Sequence, residues 1–582
     1  MSGGSGGRPM SRAKERYFVD RSFQRFFLPA FLSSLGLALG GMVDCLVVGS
    51  KMGAAGLSAI SLGIPVYLFY NVLSYGFSIG GSIHYASALA DGRVEDGVRL
   101  FNNVLRFLLA VYLVTAALGL LFLPQLLALL GADPAFPEVY AIAERYVRAQ
   151  LICVPVLYCQ GPFYYFVHCD DAPKRAAAAL VTSNAVDILL NYVFVIRMDM
   201  GAEGSVWSTL IGAFFCLGSC GEHILRRRGA LRFARAPFLR RDLTESFRTG
   251  ASSAVQYIYQ FITVLAANQL LMSMSGAVGV AVFDVVYNFS LLTAAVADGI
   301  GMTLQPMVST YRAERDANAV RRTMGLAFRY SSLLALLATA GIVLGAGPLC
   351  ALFGLSGESG QLGVLALRIY ALSILPACWD QCMIYYDQSA GRERSAFLAE
   401  SLRMLLCWLP LALLLTRAGI QAFWLVFPLS ELGCLLYVLL GLRARLREDW
   451  TQTSERVYTA FTDPDSDLGQ QVAEFQEICD GWGCSPQQSY YGTLVLEELC
   501  AAILDDARRE RRPDVLIKST VILGPEGLTL HLRDNSYEFD PFAIQEDEAG
   551  EVNVLGISIV KKKARSFLYR RSLGFNTLVV KL

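Results

Sequence analysis

Twelve stretches of this chain are long and apolar enough to cross a lipid bilayer. They lie at about residues 26–48, 58–86, 102–130, 143–167, 175–196, 204–225, 250–273, 279–304, 325–350, 363–386, 396–416 and 420–442. The hydrocarbon core takes about 20 apolar residues of helix. Backbone amides find no water there, so such stretches close their hydrogen bonds internally and form helices. Composition agrees: of 582 residues, 54% are hydrophobic and 17% charged, less charge than a soluble chain of this length carries. The expected fold is an all-α polytopic membrane protein of 12 transmembrane helices, followed by a cytoplasmic α/β domain. The 14 cysteines lie mostly in the apolar runs, without CxxC spacing, and the four histidines form no HExxH. That argues against a zinc site or a metalloenzyme. Nothing in the chain points to nucleic acid as a partner.

Arginine and lysine set the orientation. They crowd the N-terminal arm, alternate connections such as "RRRGALRFARAPFLRR" (226–241), and the "RARLRED" that follows the last span. The opposite connections hold Lys51, Arg145, Arg197 and Arg417. By the positive-inside rule both termini face the cytoplasm of a multi-pass protein in a cell membrane, of bacterial inner-membrane type. The basic start precedes an apolar run with no small-residue cleavage site, so the first span is read as retained.

The chain also repeats itself. "MGAAGLSAI" (52–60) returns as "SGAVGVAVF" (275–283), so that Gly53, Gly56 and Gly76 match Gly276, Gly279 and Gly299 at one constant shift. Two parallel halves of six spans are a secondary-transporter plan. The expected division is a cytoplasmic arm 1–25, a first lobe 26–225, a basic linker 226–249, a second lobe 250–443 and a tail domain 452–582.

Polar residues inside the spans are the candidate site. "SNAVDILLNYVFV" (183–195) carries Asn184, Asp187 and Asn191 on one helical face. A carboxylate at the bilayer centre costs about 2.5–3.5 kcal/mol on insertion scales, which is hard to explain unless a cation, a proton or water meets it. Neutral amides beside it offer oxygens to a hard cation. Bonding between helices is the plainer role for the amides. The second half has its own acids, Asp284 and Asp298, Asp380 and Asp387, and Glu431. Asp284, Asp298 and Asp380 are expected at a substrate or second proton site. Asp387 reads as a solvated helix end, and Glu400 with Arg403 as a local ion pair.

"MVDCLVVGSKMGAAGLSAISLGIP" (42–65), "CDDAPKRAAAALVTSNAVDILLNYVFV" (169–195), "GAEGSVWSTLIG" (201–212) and "LQPMVSTYRAERD" (304–316) resemble the multidrug and toxic compound extrusion (MATE) family. The resemblance covers residues 20–443. It implies two six-helix bundles around a central cleft and export of small organic, often cationic, compounds in exchange for H+ or Na+. Asp44 matches an acidic position that many members carry, so Asp44, Asn184, Asp187 and Asn191 are expected to converge as the coupling-ion site. Members often read Asn-x-x-x-Asp where this chain reads Asp187-x-x-x-Asn191, which leaves the ion's identity open.

After residue 450 the composition changes. Amphipathic helices are expected in "SDLGQQVAEFQEICDGWGC" and "LVLEELCAAILDDARRE", strands in "RVYTAFTD", "DVLIKSTVILG", "GLTLHLRD" and "FNTLVVKL", and a hairpin turn at "GPEG" (524–527). "LVLEELCAAILDDA" (494–507), "LHLRDNSYEFDP" (530–541) and "LGISIVKKKARSFLYRRSLGFNTLVVKL" (555–582) resemble the GHKL ATP-binding fold, closest to anti-sigma-factor serine kinases. The resemblance implies a two-layer α/β sandwich. Its nucleotide site would hold Glu498, Asp534 as the adenine contact, Asn535 and Gly556. Ala502 stands where a metal-holding asparagine is expected, and alanine offers Mg2+ no oxygen. ATP with Mg2+ is therefore not favoured, and the tail is read as a regulatory domain that meets a cytoplasmic protein or gates the transporter. Two other readings stay open: a membrane receptor with the tail as its output, and a tethered serine kinase.

Overall fold

Two helices far longer than a bilayer is thick dominate the chain. The computed structural model describes residues 9–90, 93–170, 172–451, 456–512, 514–524, 527–543, 554–572 and 575–582. The Gly/Ser-rich start and the stretch 544–553 lie outside them. Helix α1 (Pro9–Ala90) runs for 82 residues and is broken at Gly53 (φ 60°, ψ −147°). After α2 (Val94–Leu121), α3 (Leu123–Leu130), α4 (Pro137–Cys169), α5 (Pro173–Asn191) and α6 (Glu203–Leu225), α7 (Arg240–Ala313) repeats the pattern, broken at Gly276 (φ 60°, ψ −148°). Both breaks lie in a backbone region open in practice to glycine alone. Then come α8 (Ala317–Leu352), α9 (Gly357–Ala371), α10 (Ile374–Ser389), α11 (Glu393–Ser401), α12 (Trp408–Leu415), α13 (Ile420–Phe423) and α14 (Val426–Thr451).

Among the described residues eight helices are long and apolar enough to cross a membrane, or nine if α9 and α10, bent by 43°, form one span. The expected count was twelve. The difference arises where Gly53 and Gly276 each keep two expected crossings within one helix. In addition α4, whose uncharged stretch is rich in tyrosine and proline, is not among the eight. Helix α1 also starts 17 residues before the expected first span, because its basic end continues the helix beyond the apolar run.

α1 packs along α7, and this contact joins the two halves. Near the breaks Ser58 donates to the Ala277 carbonyl at 2.6 Å, and Ser61 and Asn268 exchange hydrogen bonds of 3.0 and 2.7 Å. At the other end the connection from α6 to α7 is strapped to the first half. Buried Asp170 accepts from Tyr85 (2.6 Å), His223 (2.9 Å) and the amides of Ala230 (2.9 Å) and Leu231 (3.2 Å). Asn102, Asn103 and Arg106 of α2 bind the carbonyls of Arg232, Ala234, Ala236 and Pro237.

The tail is a five-stranded antiparallel sheet in the order β1-β2-β3-β5-β4. The strands are β1 (Arg456–Thr462), β2 (Ile517–Gly524), β3 (Gly527–Asp534), β4 (Ser566–Ser572) and β5 (Phe575–Lys581). Gly524 pairs with Gly527 across the expected hairpin. Helices α15 (Leu468–Trp482), α16 (Pro486–Arg509) and α17 (Val554–Lys563) cover one face through Ile517, Val521, Leu530, Leu532, Leu578 and Val580. Strand side chains alternate, so Phe461, Lys518, Arg533 and Phe575 point the other way, onto α1 and the end of α7.

Candidate functional site

The first group of polar residues sits where α1, α5 and α6 meet. Asn191, fully buried at the end of α5, donates its amide to Asp44 of α1. Its own carbonyl oxygen has no partner among the described residues. Asp187, one turn earlier and half-buried, stands close enough to Asp44 for their charges to act on one another, and accepts from Ser208 of α6 at 2.7 Å. α5 and α6 approach closely here: a Cβ at Gly212 would lie 2.6 Å from the Ser183 carbonyl and 3.3 Å from the Asp187 Cβ. Asn184 shares the face of Asp187, yet it is only half-buried and makes no hydrogen bond among the described residues. The structure thus joins three of the four expected residues and adds Ser208. Ser208 carried no sequence signal, because its partner lies 21 residues away on another helix. Immediately after Asn191 the helix widens into a π turn, Tyr192–Arg197, a form that recurs at functional sites.

Asp284 belongs with this group rather than with the acids of the second half. It is fully buried on α7 beside Cys45, the neighbour of Asp44, because α1 and α7 face each other along their length. Asn288, one turn on, donates to its carbonyl at 2.9 Å and to its carboxylate at 3.4 Å, and one carboxylate oxygen is left without a partner among the described residues.

The second group lies in and around a cavity of about 160 Å3 inside the second half, lined among others by Asp298, Gln381, Glu400, Arg403 and Glu431. At its centre Arg403 makes a two-pronged pair with Glu431 of α14, 3.1 Å on each prong, and donates to Gln381. Glu400, expected to be its partner, lies 3.8 Å away. The local pair is therefore secondary to one made across 28 residues, since the forked guanidinium fits a carboxylate best head-on. Asp298 accepts from Tyr385 at 2.7 Å. Asp380 is fully buried, and neither of its oxygens has a partner among the described residues. Asp387 is not a solvated end: it is 1% exposed, accepts from Ser395 at 2.8 Å and lies 3.8 Å from Arg392. Arg403 sits within a second π turn, Leu402–Leu406. Gln256, Asp298, Gln381 and Glu400 also border a wider cleft of about 980 Å3 with Arg248 and Arg394 at its margin. The chamber thus carries three carboxylates, Asp298, Glu400 and Glu431, to one guanidinium, an excess of negative charge that favours a cation.

In the tail, Asp534 ends β3 fully buried. Its Oδ1 accepts from the Ser536 amide (2.9 Å), the Ser536 hydroxyl and Asn576 (2.9 Å). Asn535 ties two chain segments, bonding the Leu516 amide at 2.7 Å and the Asp514 carbonyl at 3.0 Å. Gly556 abuts the Glu498 carboxyl, 2.1 Å from where a Cβ would stand. Burial, and then the neighbouring Glu497, raise the Glu498 pKa. Ala502 lies in the apolar core beneath the sheet. An alanine where a metal-holding asparagine was expected offers Mg2+ no oxygen, so the residues present do not fit magnesium nucleotide.

The MatE family profile matches residues 29–193 and 249–414. "Probable multidrug resistance protein YoeA" of Bacillus subtilis (strain 168) is 23% identical over 229 residues, 38% of this chain and 49% of that protein. "Multidrug export protein MepA" of Staphylococcus aureus (strain bovine RF122 / ET3-1) is 21% identical over 197 residues, 34% of this chain and 43% of that protein. The chain thus spans about half the length of the curated relatives it matches. Among solved structures, an inward-facing multidrug resistance MATE family transporter of the MOP superfamily superposes with a TM-score of 0.65 at 18% identity, over 73% of this chain and 99% of that one. A MOP superfamily transporter from Pyrococcus furiosus Vc1 (DSM3638), described as having a binding pocket of reverse polarity, gives 0.56 at 19%, over 74% and 96%. The fold is theirs, and with one matched stretch in each half and more than half of its residues matched, the chain belongs to the MatE family.

Proposed function

We propose that this chain is a secondary-active exporter of small organic, cationic compounds, driven by H+ or Na+ moving inward. The observation that carries the reading is the group Asp44, Asp187 and Asn191: carboxylates within apolar helices, bonded to an amide and a hydroxyl and to no basic side chain among the contacts described. In the proposed cycle ions occupy this group when it faces outward, and their binding loosens the hold on substrate. The acid-lined chamber around Asp298 and Glu400, with Asp380 buried near its Arg403–Glu431 pair, is the proposed place for a cationic substrate or a second proton. The helix breaks at Gly53 and Gly276 support a reading of twelve spans, with lobes at 26–225 and 250–443, and with that even count the arginine-rich connections favour both termini in the cytoplasm. The names of YoeA and MepA point to the same activity.

Purified full-length protein in liposomes tests this. Ethidium movement is measured under separately imposed proton and sodium gradients. One gradient is expected to drive it, and Asp44→Asn and Asp187→Asn to reduce the rate by about tenfold or more, the scale of a lost essential group. Asp187→Asn moving ethidium at the full rate under the same gradient rejects the site.

The tail, 452–582, is proposed as a GHKL-like domain kept for regulation. Its contact with the membrane helices also favours a second reading, a receptor that uses the tail as output. Ethidium binding without gradient-driven movement would select that reading.

A further inference from the structure

The tail rests on the membrane helices by the sheet face that its own helices leave open, and it is held there in three ways. Phe18 of α1 meets Phe461 and Phe575 with ring centroids 6.3 and 5.6 Å away, and Phe26 stacks on Phe575 at 6.4 Å. At the rim Lys14 pairs with Asp463 at 2.6 Å and Arg21 with Asp514 at 2.7 Å. At the centre Lys518 of β2, 1% exposed, reaches Glu314 at 2.5 Å and Asp316 at 2.6 Å in the connection from α7 to α8, with the Tyr311 ring 4.7 Å away.

One surface therefore grips both halves, the cytoplasmic end of α1 and the α7–α8 connection. Arg322 of α8 closes the same joint with a two-pronged bond to Asp20 of α1, 2.7 and 2.6 Å. α1 has no break between Pro9 and Gly53, so the gripped end and Asp44 belong to one rod. At 1.5 Å per residue they lie about 39 Å apart. Apolar packing alone would suffice to anchor a domain. A buried lysine with two carboxylates is a poor way to gain stability, and the best-attested use of such a group is to fix one arrangement out of several.

We propose that the tail is an intramolecular brace: docked on Glu314, Asp316 and Phe18, it holds the cytoplasmic end of α1 against the second half and slows the transport cycle, and undocking releases α1. The brace deepens the regulatory role proposed above, and its flux arm rests on the exporter reading.

The test uses the full chain in liposomes and compares the wild type with Lys518→Met, Glu314→Gln/Asp316→Asn and Lys14→Ala/Arg21→Ala. Backbone hydrogen exchange is followed over β1, β2 and residues 20–50 of α1, and ethidium movement under a proton gradient. In Lys518→Met the expected result is exchange over 20–50 faster by about tenfold, as local opening demands, with faster ethidium movement. The surface pair Lys14→Ala/Arg21→Ala is expected to shift both in the same direction by less, and it carries the test if Lys518→Met does not fold. Free exchange of β1 and β2 with α1 still protected as in the wild type overturns the brace, as does slower movement on release. Wild type that moves no ethidium, with α1 loosened in the variants, supports the brace and rejects the exporter reading.

Discussion

Asn191 gives its amide to Asp44, and its buried side-chain carbonyl oxygen has no partner among the described residues, so the pair has an acceptor to spare for the proposed coupling ion. Arg403 stands in the opposite condition, bonded to Glu431 and Gln381 on a helix of the other half. The two sites should answer mutation differently. Asn191→Leu should leave the fold intact and abolish gradient-driven ethidium movement, read against the protein's thermal midpoint in detergent. Arg403→Met should destabilise, because it strands a buried carboxylate at a cost of about 3–5 kcal/mol. Adding Glu431→Gln to Arg403→Met should recover most of the lost thermal midpoint. The polar residues of the fifth span were legible because a carboxylate in an apolar run is costly wherever it sits. Ser208 was not: it lies on another helix, and nothing local distinguishes it from an ordinary serine; Glu431 stood out as an acid in an apolar run, but its pairing with Arg403, 28 residues away, did not.

Among the elements, the paired breaks of α1 and α7 carry the repeat into geometry. The constant shift that relates Gly53 to Gly276 reappears as two backbone conformations within a degree of each other. Gly53→Ala or Gly276→Ala forces a Cβ into a region that costs about 1–3 kcal/mol. Each is expected to lower the thermal midpoint, with the helices on either side retained by circular dichroism. The π turns, one beside Asn191 and one around Arg403, left no trace in the sequence, since the phase shift made by one surplus residue does not show where the run is apolar on every side. β4 escaped for a related reason. It is an edge strand, and Arg570 and Arg571 interrupt the alternation that marked β1, β2, β3 and β5.

At the scale of the whole molecule, docking links the tail to pH. Half-buried His531 lies on the docking side of β3. Burial lowers its pKa below the ordinary 6.5; Glu314 opposes this, and Lys518 and Lys581 reinforce it. The unfolded state therefore takes up the proton more readily, and stability conferred above pH 6.5 is lost as pH falls through that value. The tail's unfolding transition in the full chain should come at lower temperature at pH 5.5 than at 7.5, and His531→Gln should narrow the gap. Lys518 behaves with the opposite sign: burial lowers its pKa, Glu314 and Asp316 outweigh burial, and the net value is raised, so its contribution persists through neutral pH and fades only in strong alkali. Strand alternation made the apolar face of the tail readable. The charged face gave no hint of its target, because Lys518 reads as solvated until Glu314, 204 residues away, is set opposite it.

The connection from α6 to α7 looks on paper like a leash. Bonded to Asp170 and α2 as far as Pro237, it leaves Phe238 and Leu239 as the slack before α7 begins at Arg240. Any rotation between halves joined so closely has to pivot about a nearly fixed point. Across a hydrocarbon thickness of about 30 Å, a tilt of about 15° at that point displaces the far rim by about 8 Å, enough to admit or shut out an aromatic ring.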